Sequence, residues 1–150
     1  FDLVFSCPPY GDLEKYTDDP NDLSNMPYTQ FVERYVKIVS AALTRLRDNR
    51  FAVFVVGDFR DERGFYRGFV DDTAAAFISG GAKLYNELIL LNAVGTASMR
   101  VGNQFVNRKA VKIHQNVLVF YKGDPNQIQS IYGTVDTTLP IPQPKQTGLF

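Results

Sequence analysis

The sequence predicts an α/β fold in which parallel strands alternate with helical crossovers and a last strand returns antiparallel. Three observations predict it. Short β-branched and aromatic runs alternate with longer stretches of helical periodicity. Most of these segments are closed by Gly, Pro, Asp or Asn, the residues that end helices and strands. The final apolar run follows its predecessor without an intervening helical pattern, so it can return as a hairpin.

Phe1 to Ser6 is an apolar run ending at Pro8-Pro9, which fits a buried strand stopped by proline. Residues 11 to 26 are rich in Asp, Asn, Gly and Ser and read as a long loop. From Pro27 to Leu46 the pattern is helical, with Phe31, Tyr35, Ile38, Ala42 and Leu46 on one face and Pro27 in the first turn. Phe51 to Val56 reads as a central strand buried on both faces, ended by Gly57-Asp58. Residues 66 to 79 form a second amphipathic helix, with Phe69, Thr73, Ala76 and Phe77 inward and Gly80-Gly81 as its stop. Lys83 to Leu91 is a third strand, Asn92 to Lys112 a loop, and Val117 to Tyr121 a fourth strand closed by Lys122-Gly123-Asp124. Two crossovers make the first three strands parallel neighbours. The tail from Gln127 carries Pro140, Pro142 and Pro144 and reads as an extended linker, which divides the chain into a domain over 1–123 and a tail over 124–150.

A chain of 150 residues suits one domain, and 45% hydrophobic residues suffice for a packed core, which excludes a disordered chain. No apolar run approaches the roughly 18–20 residues that cross a bilayer, so a cytoplasmic protein with no membrane partner is expected. Cys7 is the single cysteine, which excludes an intrachain disulfide and a multi-cysteine zinc site. The net charge is zero but unevenly laid out. No acid falls between Glu87 and Asp124, where Arg100, Arg108, Lys109, Lys112 and Lys122 lie. Asp2, Asp12, Glu14, Asp18, Asp19 and Asp22 face only Lys15. The first residues, Phe1-Asp2-Leu3-Val4-Phe5, already run as a strand in full stride, so a fragment or a truncated start is expected.

The segment that carries chemistry is Ser6-Cys7-Pro8-Pro9-Tyr10, at the carboxyl end of a parallel strand, where open α/β sheets bind ligands. It resembles the motif of amino-methyltransferases acting on adenine N6 or cytosine N4: a small polar residue, two prolines and an aromatic. His114-Gln115-Asn116-Val117-Leu118-Val119-Phe120-Tyr121-Lys122-Gly123 is similar to that family's last strand, and Arg108 to Lys112 fits the basic segment ahead of it. The similarity covers residues 1 to 123 and also resembles methyltransferases of bacteriophage origin, some fused to a partitioning-protein-like domain. The resemblance implies the catalytic half of a partial Rossmann-like methyltransferase fold and S-adenosylmethionine-dependent methylation of DNA, as in restriction-modification.

That resemblance gives roles to Cys7, Pro8, Pro9 and Tyr10. A side-chain acceptor at position 7 and the Pro8 carbonyl take hydrogen bonds from the exocyclic amine, and Tyr10 stacks on a base drawn out of the duplex. Cys7 departs from the family's Asp, Asn or Ser, and a thiol is a weak acceptor, so Ser6 shares the role in one reading. A covalent role for Cys7 is disfavoured, because no Pro-Cys order follows. Ser6 and Asp58 are the cofactor-side candidates, Asp58 being equally readable as a turn residue after Gly57. Arg100, Asn107, Arg108, Lys109, Lys112 and His114 are the DNA-side candidates, or else a solvated basic loop.

The family's glycine-rich cofactor turn is not found: Gly80-Gly81 precedes a strand, and Gly95 and Gly102 lack the strand-then-helix frame. The cofactor half is therefore expected upstream in a longer protein, which makes the isolated chain inactive. Two other readings stay open: a degenerate fold used for nucleic-acid binding or assembly, and an amino-methyltransferase acting on RNA or on protein amides.

Overall fold

The computed structural model describes residues 1–11, 13–93, 95, 97–136 and 138. Four strands form one sheet: β1 (Leu3–Ser6), β2 (Arg50–Val56), β3 (Lys83–Leu91) and β4 (His114–Lys122). Between them lie α1 (Tyr28–Arg45), α2 (Phe69–Ser79) and α3 (Ser98–Phe105), and α4 (Ile128–Tyr132) follows β4. The spatial order is β1-β2-β4-β3. β1 pairs parallel with β2, and β4 runs antiparallel to both β2 and β3.

The α/β class and the antiparallel last strand hold, but the first three strands are not all neighbours. β4 inserts between β2 and β3. The reason lies in the residues. Val117 to Tyr121 is apolar at every position and needs a neighbour on each side. β3 interrupts its apolar residues with Lys83, Asn86 and Glu87 and tolerates an edge, where all nine of its residues are exposed.

β1 departs from the buried strand expected of it. Phe1, Leu3 and Phe5 are exposed, and only Val4 packs toward the core. The register puts Leu3 and Phe5 on the same face as Phe51, Val53, Val55, Val117, Val119, Tyr121, Leu88 and Leu90. α1 and α2 cover the opposite face. The centre of that packed side is Phe77, stacked on Phe120 at 3.9 Å between centroids and meeting Phe54 edge-on at 4.8 Å.

α1 buries Phe31, Tyr35 and Leu46 as its periodicity suggests, but Val39 and Leu43 take the inward places expected of Ile38 and Ala42. Phe31, Tyr35, Val39 and Leu43 are buried at four-residue steps, with Leu46 just past the end, whereas Ile38 is exposed. The four-step row presents one ridge to α2 and the sheet. The last carbonyls of α1 are satisfied from β4: Lys122 Nζ donates to Leu43 O at 3.1 Å and Leu46 O at 2.7 Å, and pairs with Asp48. A cation there also suits the negative end of the helix dipole. α2 buries Phe69, Thr73, Ala76 and Phe77, as its pattern implied.

Two segments hold more structure than their composition indicated. The stretch from Asn92 to Lys112 contains α3, whose period is masked by Gly102, a residue costing about 1 kcal/mol in a helix interior. The start of the tail turns through a 3-10 segment at Pro125–Gln127 into α4, where Tyr132 packs on Phe51 at 5.4 Å. Pro140, Pro142 and Pro144 lie outside the described residues.

Replacing Phe120 by Ala removes the ring at the centre of the covered face. The expected loss is about 3–5 kcal/mol of unfolding free energy in a urea titration. Leu3→Ser or Leu88→Ser, on the bare face, is expected to change it by less than about 0.5 kcal/mol. A loss at Leu88 as large as that at Phe120 would mean that the face is covered within this chain.

Candidate functional site

β1 ends at Ser6, half-buried opposite Phe54, and the chain leaves the sheet through Cys7-Pro8-Pro9. Pro8 and Pro9 are half-buried and stiffen the exit, while Cys7 is exposed and unpaired in any disulfide. Tyr10 then turns back over the ends of the strands. Its ring meets Phe69, the first residue of α2, edge-on at 5.9 Å, and lies nearly parallel to Phe59 at 6.5 Å. Tyr28, Phe31 and Tyr35 extend this aromatic cluster beneath it.

The residue after Tyr10 has to be glycine. Gly11 has φ +56°, and a Cβ there would sit 2.9 Å from Phe59 Cζ. The close approach lets Tyr10 and Phe59 share one cluster. Burial pushes the Tyr10 hydroxyl up to about 12, with the neighbouring Cys7, Glu14 and Tyr16 adding to it. The phenol is therefore neutral and a competent stacking surface throughout the physiological range. Burial, then the hydrogen bond to Asp72 at 2.6 Å, pushes Tyr28 up as well.

The acidic loop after the motif is held by its own acids. Asp22 accepts from Ser24 N, Thr17 N and Thr17 Oγ1, and these bonds, the one from Ser24 first, hold its carboxyl below the usual carboxylate range. Asn25 Nδ2 donates to Thr17 O and Asp19 O. Asp12 lies outside the described residues.

The carboxyl end of β2 builds the other wall. Asp58 Oδ1 accepts from Val70 N at 3.1 Å and so caps the first turn of α2. The turn reading of Asp58 thus has a partner, and the residue also lines a cleft. From Phe59 to Arg67 the chain doubles back as a small hairpin, with Arg60 bridged to Tyr66 and its guanidinium 3.9 Å from the Tyr66 ring centre. Between this hairpin and the segment running from α3 into β4 is a cleft of about 350 Å³, lined by Leu13, Asp58, Phe59, Arg60, Tyr66, Arg100, Gln104 and Lys112 among others. It continues past Lys112 and Ile113 to His114.

The DNA-side candidates divide accordingly. Arg100 and Lys112 line the cleft and His114 lies at its extension. Lys109 packs over Gly64, at the turn of the hairpin. Asn107 and Arg108 occupy the exposed turn after α3, Arg108 with φ +54°, and do not line the cleft. Arg60, Tyr66, Gln104 and Gln115 join the site without having been singled out in sequence. The turn signal in Asp61-Glu62-Arg63-Gly64 could have revealed the hairpin that pairs Arg60 with Tyr66. No group of three His, Cys, Asp or Glu able to hold a metal occurs among the described residues, and no described helix is long and apolar enough to cross a membrane.

Two outcomes test this geometry. Gly11→Ala places a methyl against Phe59 at positive φ, and is expected to cost about 1–3 kcal/mol in denaturant melts while shifting the Tyr10 ring resonances. Tyr10 binds its proton more tightly folded than unfolded, so the stability it contributes is complete below pH 10 and falls as pH rises from 10 toward 12. Denaturant midpoints across that window should decline less in Tyr10→Phe than in the unsubstituted protein.

No family model matches the chain, and no curated protein matches it. Solved structures do. TTHA0409 of Thermus thermophilus, assigned as a DNA modification methylase, superposes with a TM-score of 0.57 at 17% identity over 89% of this chain and 52% of its own. Its complex with S-adenosyl-L-methionine gives 0.55 at 16%, over 81% and 45%. The M1.HpyAVI–SAM complex gives 0.50 at 10%, over 82% and 43%. The chain spans about half the length of these structures. At such identities the likeness is one of fold alone: this chain shares its α/β architecture with about half of each of these structures.

Proposed function

We propose that this chain is the catalytic-motif half of an S-adenosylmethionine-dependent methyltransferase acting on an exocyclic amine of DNA, adenine N6 or cytosine N4. The observation that carries the reading is the placement of Cys7-Pro8-Pro9-Tyr10 at the carboxyl end of β1, with Tyr10 braced by Phe59 and Phe69 beside a cleft whose rim holds Arg60, Arg100 and Lys112. The likeness of fold to TTHA0409 and to M1.HpyAVI, both crystallised with S-adenosyl-L-methionine, supports it.

The chemistry asks two things of the protein. A base must leave the stack and be held flat, which a braced neutral Tyr10 does, at roughly 1–3 kcal/mol for base–aromatic stacking. The target amine, whose lone pair is delocalised into the ring, must be turned so that the lone pair points at the methyl donor. The Pro8 carbonyl accepts an amine hydrogen for that purpose, and the two prolines keep it from rotating away. Cys7 offers only a weak acceptor beside it, so Pro8 carries more of this task here than in sequences with Asp or Asn at that position. Arg100 and Lys112 take phosphates next to the extruded nucleotide.

Binding the cofactor is not a task these residues perform alone. β1 leads into Cys7-Pro8-Pro9 and β2 into Gly57-Asp58, where one oxygen of Asp58 already caps α2. The bare apolar sheet face calls for a cover, because an exposed patch of this kind marks an interaction surface. A cofactor-binding half, carried upstream in the full-length gene product, is proposed to pack there and to supply the sulfonium methyl group.

The test is transfer of label from radiolabelled S-adenosylmethionine to unmethylated DNA by the full-length gene product. Tyr10→Ala is expected to lower the rate at least a hundredfold. Lys112→Ala is expected to weaken DNA binding and to reduce the slope of log K against log salt by about one. Digestion to nucleosides then names the base. Label on RNA or protein but not on DNA would change the acceptor. No label on any acceptor, with DNA still bound, would replace the enzyme by a binding module.

A further inference from the structure

Gln115 stands at the start of β4, and its side chain reaches the motif on the other side of the site. Its Nε2 donates to the Tyr10 hydroxyl at 2.9 Å, a half-buried bond between residues 105 apart in sequence. Gly57, at the end of β2, closes this contact from below. A Cβ built there would lie 3.8 Å from Gln115 Cγ and 4.0 Å from the Tyr10 hydroxyl. The phenol is thus flanked by Phe59, nearly parallel to it, and by Phe69, edge-on, and is held at its tip by Gln115.

We propose that Gln115 is a positioning residue for Tyr10: it fixes the direction of the phenol from β4, so that the ring waits in one orientation for the extruded base. The inference rests on the reading of Tyr10 as the stacking residue. Ring packing alone leaves a phenol free to tilt about the bond to its own backbone. A hydrogen bond at the hydroxyl, the atom farthest from the chain, removes that tilt with the longest lever. Ordering the ring before the substrate arrives saves that cost when the base binds. Accepting from Gln115 also leaves the hydroxyl its own proton to donate.

The test is a double-substitution cycle. In the full-length gene product, Gln115→Leu is expected to lower kcat by about three- to tenfold, the worth of one neutral hydrogen bond, with the Kd for S-adenosylmethionine unchanged. Tyr10→Phe removes the same bond from the other end and is expected to lose a similar factor. Gln115→Leu added to Tyr10→Phe is then expected to cost nothing further. Multiplicative losses would overturn the proposal, because they would mean that Gln115 acts by another route or merely destabilises the fold. A second measurement needs no activity. In NMR spectra of the 150-residue chain, Tyr10→Phe should shift the Gln115 side-chain amide protons, and Gln115→Leu should broaden or shift the Tyr10 ring resonances. Neither change appearing would overturn the positioning role even if methyl transfer is present. Both appearing in a protein that methylates nothing would keep the contact while removing the enzymatic reading beneath it.

Discussion

The antiparallel insertion of β4 between β2 and β3 is the constraint on which the site depends. In a sheet of parallel strands, only the carboxyl ends of strands meet at the ligand-binding edge. Reversing one strand brings an amino end to that edge as well. β4 therefore delivers Lys112, Ile113, His114 and Gln115 to the place where β1 releases Cys7-Pro8-Pro9-Tyr10 and β2 releases Gly57-Asp58. Without the reversal, Gln115 would lie at the far end of the sheet from Tyr10.

The same insertion arranges the energetics. β4 gains hydrogen-bonded neighbours on both sides, and its inward residues, Leu118 and Phe120, become the middle of the packed face. Its last residue, Lys122, ties off the end of α1. Its first residues border the cleft. One strand thus joins the core, the α1 terminus and the site, so damage to the packing around Phe120 should be felt at Gln115 and Tyr10.

The two faces of the sheet differ in their cover: α1 and α2 pack along one, whereas on the other α4 reaches the sheet at one end, through Tyr132 on Phe51. α1 and α2 both pack on the face that carries Ala52, Phe54, Val56, Leu118 and Phe120, while Leu3, Phe5, Leu88 and Leu90 remain exposed on the other. The covered face holds the motif in place by way of Phe69, which belongs both to the core and to the cluster around Tyr10. Rigidity at the motif therefore comes from the packed face of the sheet.

Local chemistry made several elements legible from the sequence. β3 spans the same residues in both readings, because Gly80-Gly81 sets its start and polar residues set its end. The inward set of α2 was equally plain, since Phe69, Thr73, Ala76 and Phe77 obey one helical period. The motif's location at a strand end was legible because proline cannot continue a ladder. Strand order, the exposure of β1, the inward places of Val39 and Leu43 in α1, α3 behind Gly102, and the partners of Asp58 and Tyr10 were decided only by tertiary structure. Each depends on which surface a neighbour covers, and a residue's own pattern does not contain that neighbour. The bond between Gln115 and Tyr10 is the clearest case: nothing in either segment names the other, and only the reversal of one strand within the sheet puts them 2.9 Å apart.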